Sequence, residues 1–189
     1  MTLLKRMATV SVIAVCALVS ASAQAALIYA TASLDASQEV PTNGSLALGE
    51  AILVLDTETN LIGLGASFAG ISIADITFPE GGLAFGAAGP FHIHSGPPGV
   101  NGPLLVPFGN PDYYTQFDGY FEVLTTEAIA VGDDFARELR RGNLYLNLHS
   151  LAYPGGEIRG QLTVVPEGMT SVAMLVGLLG LIAIRLRRA

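Results

Sequence analysis

Short runs in which apolar and polar residues alternate recur along the middle of the chain. They are rich in β-branched and aliphatic side chains, and turn residues such as those at 42–44 (TNG) and 154–156 (PGG) separate them. Alternation places the apolar side chains on one face of a strand, and several short strands divided by turns are typical of an antiparallel sandwich or barrel. The runs lie at residues 27–35, 50–59, 61–70, 120–126, 143–150 and 157–165.

One segment predicts a helix instead. In DDFARELRRG, residues 133–142, Asp133 is a suitable N-cap, Arg140 and Arg141 fall in the last turn, and Gly142 ends the pattern. Arginines at that end stabilise the helix dipole, so we interpret them as part of the helix rather than as a binding patch. The sequence therefore predicts an all-β fold, an antiparallel Greek-key-like β-sandwich or barrel with one short helix.

The last two runs form the clearest pattern in the sequence. If the loop between them is centred on Tyr153, they make a hairpin in which apolar side chains face apolar ones and polar side chains face polar ones. This register sends Leu146 and its apolar neighbours into the core. The predicted partners are Leu148 with Ile158, Asn147 with Arg159, and His149 with Glu157.

The polar face of this hairpin collects hydrogen-bonding side chains. We expect a structural polar network there, in which Arg159 pairs with Glu157 or Asn147 and orders the hairpin. A carboxylate beside a cation also occurs in active sites, but two residues apart on one strand face such groups more often form an ion pair. The network comprises Asn147, Glu157, Arg159 and Gln161.

The three histidines of the chain are His92, His94 and His149. His92 and His94 are one residue apart on a predicted strand, so they project from the same face with Cα atoms about 6.7 Å apart. Imidazoles placed in this way can share a zinc or copper ion if His149 reaches them from a neighbouring strand. They can equally bond to protein groups, since the glycine- and proline-rich loop at 96–102 follows directly. Both interpretations stay open: a hydrogen-bonded strand end, or a three-histidine metal site.

Composition excludes several classes of function. Residues 26–165 form one domain by length, and they contain four arginines against 15 acidic residues, a formal net charge of −11. Such a domain repels phosphate backbones, so nucleic-acid binding is excluded. The one cysteine, Cys16, lies near the N-terminus. A chain cleaved after Ala25 therefore has no thiol for a disulfide, a zinc thiolate site or a nucleophile.

The first 25 residues have the pattern of a secretory signal peptide. Lys5 and Arg6 precede an apolar stretch, and the segment at 23–25 (AQA) fits an A-x-A cleavage site. We therefore expect the chain to be exported and the mature protein to begin at Ala26.

A second targeting element is expected at the C-terminal end. A polar segment with Pro166 and Glu167 precedes an uncharged apolar run at 169–184 and a basic tail at 185–189. As a helix the run would extend about 24 Å, short for a transmembrane helix, with the basic tail on the cytoplasmic side. The segment resembles a PEP-CTERM sorting signal, which implies a membrane partner and processing by an exosortase-type enzyme. Gly168 stands where that motif has its second proline.

Three motifs between these two signals resemble the CHRD domain in their order and spacing. They are ASLDASQEVP at 32–41, FHIHSGPPGVNGPLL at 91–105 and LYLNLHSLAYPGGEIRGQL at 144–162. The resemblance covers about residues 29–164 and implies an all-β extracellular module with no assigned catalytic activity in bacteria. The expected organisation is a signal peptide at 1–25, a CHRD-like domain at 26–165 and a sorting signal at 166–189.

From these features we expect an exported, noncatalytic module at the bacterial cell envelope or extracellular matrix. It would act by binding or structure, on an extracellular polysaccharide or protein ligand, without a cofactor. The alternatives are a three-histidine metal-binding module and a metal-dependent enzyme, because the His-x-His strand resembles the copper-binding strand of Cu,Zn superoxide dismutases. That likeness is limited, since those enzymes need more than three histidines and a disulfide.

Overall fold

The computed structural model describes residues 27–166 except 79 and 80. The predicted signal peptide, the predicted C-terminal helix and Glu167 of the sorting motif lie outside the described residues. Within those residues no helix has the length and apolar character needed to cross a membrane.

The described part of the chain is built on antiparallel strands, as the alternating pattern predicts. The strands pair in the order β5-β4-β9-β10-β1-β2-β3-β7-β6, with β11 against β1 and β8 against β3. Short 3-10 helices lie at Ala36–Gln38, Ile73–Ile76, Gly86–Ala88 and Pro111–Tyr113. The strands are β1 Leu27–Asp35, β2 Leu48–Asp56, β3 Leu61–Ala69, β4 Phe91–Ser95, β5 Leu104–Pro107, β6 Tyr114–Gln116, β7 Tyr120–Leu124, β8 Ile129–Ala130, β9 Leu144–Leu148, β10 Ile158–Gln161 and β11 Thr163–Val164.

The sheet curls so that its two halves enclose one apolar core. Phe68 of β3 and Phe91 of β4 are separated by four strands in the pairing order, yet their ring centroids lie 5.0 Å apart. Phe121 of β7 stacks on Phe68 at 4.9 Å. Phe121 faces Phe68 on the neighbouring strand, whereas the Phe68–Phe91 contact exists only because the sheet folds back on itself. The prediction of an antiparallel β fold is confirmed, and its form is one curled sheet in the shape of a half-barrel.

The long strands follow the alternation of apolar and polar residues in the sequence, whereas this alternation did not predict three short strands. β5, β6 and β8 have four, three and two residues. Strands of this length contain too few residues for alternation to be recognised. β5 also follows Pro103 and ends at Pro107, and proline is uncommon inside a strand.

The register predicted for the terminal hairpin is confirmed within β9 and β10, whereas the third predicted pair, His149 with Glu157, lies beyond the paired residues. Ile158 faces Leu148 and Arg159 faces Asn147 across β10 and β9. Leu146, the residue before Asn147 on β9, is fully buried in the core. The alternation of apolar and polar side chains fixed this register, because a slip by one residue would send every core side chain to the other face.

The predicted helix is present and short. α1 spans Phe135–Arg140 and its N-cap is Asp134, so the assignment of Asp133 to that position is wrong. The Asp133 carboxylate instead accepts a hydrogen bond from the Asn60 side chain. Gly142 follows the helix with a φ of 69°, a conformation that glycine adopts without strain.

Leu146→Ala should destabilise the domain by about 2–5 kcal/mol, because it leaves a cavity between the two halves of the sheet. Urea unfolding followed by circular dichroism measures the loss. Leu48→Ala is the matched control, since Leu48 is 60 % exposed on β2, and its cost should stay within about 0.5 kcal/mol. Equal costs for the two variants would contradict the described packing.

Candidate metal centre

The pairing of β4, β9 and β10 places polar side chains in two rows on one face of the sheet. The apolar residues between them on each strand, such as Ile93 and Leu146, point to the opposite face and into the core. The loop at 96–103 covers the polar face. The rows are His92, Asn147 and Arg159, and beside them His94, Tyr145 and Gln161.

The three histidines converge at one end of this face. One ring nitrogen from each of His92, His94 and His149 lies within 4.8 Å of the other two. The ring centroid of His92 lies 5.5 Å from that of His94 and 5.1 Å from that of His149. His149 directly follows β9, and its backbone N–H donates to the carbonyl of Pro90, directly before β4. The pairing of β4 with β9 therefore brings the third imidazole to the other two.

Two of the imidazoles are anchored through Nδ1. Nδ1 of His94 lies 3.0 Å from the carbonyl oxygen of Gly102, and Nδ1 of His149 lies 3.1 Å from that of Pro154. A carbonyl oxygen can only accept, so Nδ1 carries the proton in each ring and Nε2 keeps its lone pair. Both Nε2 atoms are buried without a hydrogen-bond partner among the described residues. Metal-binding histidines are typically oriented in this way.

His92 is the most enclosed of the three. It is 5 % exposed, and neither ring nitrogen forms a hydrogen bond of good geometry among the described residues. Burial and the neighbouring His149 and His94 lower the pKa of His92 to about 4, while backbone contacts with Gly89 and Ala88 act in the opposite direction. Burial also lowers the pKa of His94 and of His149. All three rings are therefore neutral at pH 7, which is the form that binds a metal ion.

The loop at 96–103 approaches β4 closely because residue 102 is glycine. The Gly102 N–H donates to the Tyr145 hydroxyl at 3.1 Å, and the Gly102 carbonyl accepts from His94. A Cβ atom at Gly102 would overlap the carbonyl oxygen of Ser95. The anchor of His94 thus depends on a position that tolerates no side chain.

His94, Tyr145 and Arg159 stack across the three strands. The rings of His94 and Tyr145 are 5.1 Å apart and 13° from parallel, and the guanidinium carbon of Arg159 lies 3.5 Å from the Tyr145 centroid. Arg159 is 1 % exposed and donates to the Pro97 carbonyl and the Asn101 side chain. These contacts compensate for its lost hydration. A buried positive charge consequently lies one ring away from His94, and it helps to lower the pKa of that histidine.

The predicted pairing of Arg159 with Glu157 is wrong. The Glu157 carboxylate accepts a hydrogen bond from the Ser45 hydroxyl at 2.6 Å. The side-chain amide of Asn43 also donates to the Glu157 carbonyl, which ties this residue to the segment before β2. Arg159 bonds within the predicted network only to Gln161, at 3.5 Å. The amide of Gln161 in turn donates to the carbonyls of Gly96, Gly142 and Leu144 and fixes the start of the covering loop.

Asn147, the remaining member of the predicted network, supports a buried carboxyl group that the sequence analysis did not single out. Glu39 is 4 % exposed, and its Oε1 has no hydrogen-bond partner among the described residues. Burial raises the pKa of Glu39 to about 7, and the charge of Arg159 and a hydrogen bond with Asn147 limit the rise. A Cβ atom at Gly156 would lie 2.7 Å from either carboxylate oxygen, so Gly156 packs directly on this group.

Sequence reasoning found the three histidines but missed Glu39, Gly102 and Tyr145. Each lies inside one of the three motifs described above, at 32–41, 91–105 and 144–162. Their presence in these motifs was the signal that could have identified them. Their roles depend on the loop at 96–103, and the alternation of apolar and polar residues does not predict the path of that loop.

The fold and the site together define an antiparallel β domain with a histidine cluster on a covered polar face. The family model of the CHRD domain matches residues 30–162. The chain therefore belongs to the CHRD domain family, and the whole histidine cluster lies within the family domain. No curated protein and no solved structure matches the chain.

Glu39→Gln should flatten the pH dependence of stability. Because the folded-state pKa of Glu39 lies above its ordinary value of 4.5, the folded chain binds more protons than the unfolded chain between about pH 4.5 and 7. The stability contributed by Glu39 is therefore present at low pH and is lost as the pH rises through 7. We expect the wild type to lose roughly 2–3 kcal/mol from this group between pH 5 and 8.

Urea unfolding of the wild type and of Glu39→Gln at both pH values measures this difference. Glu50→Gln, at an exposed position on β2, is the control and should keep the wild-type pH dependence. Parallel stability curves for the wild type and Glu39→Gln would contradict the assignment.

Proposed function

We propose that the chain is an exported, noncatalytic module that holds one transition-metal ion, zinc or copper, between His92, His94 and His149. The observation that carries the proposal is the approach of one ring nitrogen from each histidine to within 4.8 Å of the other two. Nitrogens that bind one ion with bonds of about 2.0–2.1 Å lie roughly 3.3–3.6 Å apart. Modest rotations of the rings therefore bring all three nitrogens to one ion.

The competing interpretation gives the three histidines only hydrogen bonds. It accounts for Nδ1 of His94 and of His149, but it leaves the Nε2 atoms of these two rings without partners. His92 has contacts with the backbone of Gly89 and Ala88 but no hydrogen bond of good geometry. A buried polar atom without a partner costs about 1–3 kcal/mol. A single ion provides a partner for one nitrogen of each ring at once. The second nitrogen of His92 is left to the backbone groups of Gly89 and Ala88 that contact this ring.

The surroundings of the cluster favour binding over catalysis. The donor set contains three histidines and no carboxylate. Glu157, the carboxylate predicted to lie on this face, is held by Ser45. The donor nitrogens are buried, whereas a catalytic metal keeps one position open to water or substrate.

Titration with zinc and with copper tests the metal site in solution. The wild-type domain should bind one ion per chain, and His92→Ala should lose at least about tenfold in affinity, since removal of one ligand costs more than 1.4 kcal/mol. Isothermal titration calorimetry at pH 7 measures both the stoichiometry and the affinity.

The acidic surface of the domain requires a control for adventitious binding. Glu58→Ala removes an exposed carboxylate from the turn between β2 and β3, and it should bind the ion as the wild type does. If His92→Ala and Glu58→Ala bind with the same affinity, the histidines do not form the site and the proposed function is wrong.

We also propose that the chain is exported and anchored in the membrane by the segment at 169–184. Support comes from the sequence: a signal-peptide pattern at 1–25, and a polar motif, apolar run and basic tail in that order at 166–189. The likeness of the second element to a PEP-CTERM signal supports processing near Pro166 and Glu167 by an exosortase-type enzyme, in a bacterial envelope.

Fractionation of bacterial cells that express the full chain or a chain ending at Val165 tests this anchoring. In cells without a sorting enzyme, the full chain should remain with the membranes, because the apolar run stays in the bilayer, and the shortened chain should be released. Immunoblotting of both fractions measures the distribution. Release of both chains to the same extent would show that the segment is no anchor.

A further inference from the structure

We propose that the histidine site selects copper in the Cu(I) state and holds it as a three-coordinate ion. This inference rests on the proposed metal site and names the ion that the site takes. Three properties of the site support it: the number and enclosure of the donors, their spacing, and the charge around them.

The number of donors suits Cu(I). The described residues offer one nitrogen from each histidine and no carboxylate to the ion. Zn(II) in proteins almost always has four ligands, and Cu(II) prefers a square-planar or tetragonal set. Cu(I) has a filled d shell and is satisfied by three ligands.

Enclosure of the donors keeps a fourth ligand out. Both nitrogens of His92 and the Nε2 atoms of His94 and His149 are buried. Phe85 packs beside the cluster, with its ring centroid 5.4 Å from that of His149. A water molecule that completed a tetrahedral Zn(II) site would have to enter this enclosed space. The protein thus supplies three donors and restricts access to a fourth.

The spacing of the donors also favours a three-coordinate ion. The nitrogens of His92, His94 and His149 are up to 4.8 Å apart, wider than two metal–nitrogen bonds of about 2.0–2.1 Å can span. For a given bond length, an ion in the plane of three nitrogens keeps them farther apart than an ion at a tetrahedral centre does. The planar arrangement therefore requires the smaller movement of the rings.

The charge around the site disfavours a divalent ion. Three neutral imidazoles leave the full charge of the ion uncompensated. The buried guanidinium of Arg159 stacks on Tyr145, which stacks on His94. Glu39, the buried carboxyl group beside Arg159, is not part of the donor set. Each additional unit of charge on the ion increases its repulsion from Arg159. The buried guanidinium therefore favours a monovalent ion over a divalent one.

Competition experiments on the purified chain compare the three ions directly. Bicinchoninate with ascorbate under nitrogen serves as the Cu(I) competitor, and metallochromic chelators serve for Zn(II) and Cu(II). We expect Cu(I) to bind at least about 100-fold more tightly than Zn(II), and the bound copper couple to have a higher reduction potential than aqueous copper. X-ray absorption of the Cu(I) protein should show three nitrogen scatterers and no fourth light atom.

The variant Arg159→Met tests the contribution of charge. Loss of the guanidinium should raise Zn(II) affinity more than Cu(I) affinity, so the difference between the two affinities should become smaller. His94→Ala should bind neither ion. Should Arg159→Met fail to fold, the wild-type affinities and the scatterer count still decide the question.

Zn(II) or Cu(II) affinity equal to or above that for Cu(I), or a fourth light scatterer around Cu(I), would overturn the selection of Cu(I) and leave the metal site intact. No binding of any of the three ions would overturn both the selection and the proposed function.

Discussion

The site depends on one constraint, the hydrogen-bonded register of β4, β9 and β10. On each of the three strands, side chains alternate between the core and the polar face. The pairing that brings the core residues together therefore also aligns the polar side chains in rows. Ile93 and Leu146 face each other in the core, and the pair before them along β4, His92 and Asn147, face each other on the polar side. Shifting β4 by one residue would remove His92 and His94 from this face and place Phe91 and Ile93 there.

The covering loop turns this polar face into an enclosed site. Arg159 and Gln161 of β10 bind the carbonyls of Pro97 and Gly96, and Gly102 binds His94 and Tyr145. Each of these contacts satisfies a buried polar group that would otherwise be costly. The ring nitrogens of the histidines that face the centre of the cluster receive no such contact. The same loop that satisfies its neighbours therefore leaves these nitrogens available to an ion.

Alternation in the sequence predicted the long strands and the terminal hairpin because each long strand contributes a buried face. It placed Leu148 opposite Ile158 and sent Arg159 to the polar side. It did not predict the partner of Arg159, because the Pro97 carbonyl and the Asn101 side chain belong to a loop without periodicity. The local sequence pattern also could not predict that His149 lies close to His92. This proximity depends on the pairing of β9 with β4, and these two strands are distant in sequence.

The hydrogen bonds of this face explain why the sequence alone left the histidine site open. A His-x-His strand beside glycine and proline predicts hydrogen bonding as readily as metal binding, and two of the rings do form one hydrogen bond each. The decisive observation is which nitrogen remains free. Anchoring through Nδ1 leaves both Nε2 atoms free and buried. That detail depends on the positions of Gly102 and Pro154, which are fixed only in the folded chain.

Elemental analysis of the domain, purified without added metal and without chelator, tests the metal site most directly. The geometry predicts about one equivalent of copper or zinc per chain in the wild type, and a loss of that metal in a folded variant with alanine at His92, His94 and His149. A wild-type protein without stoichiometric metal, which also fails to take up either ion at pH 7, would contradict the assignment.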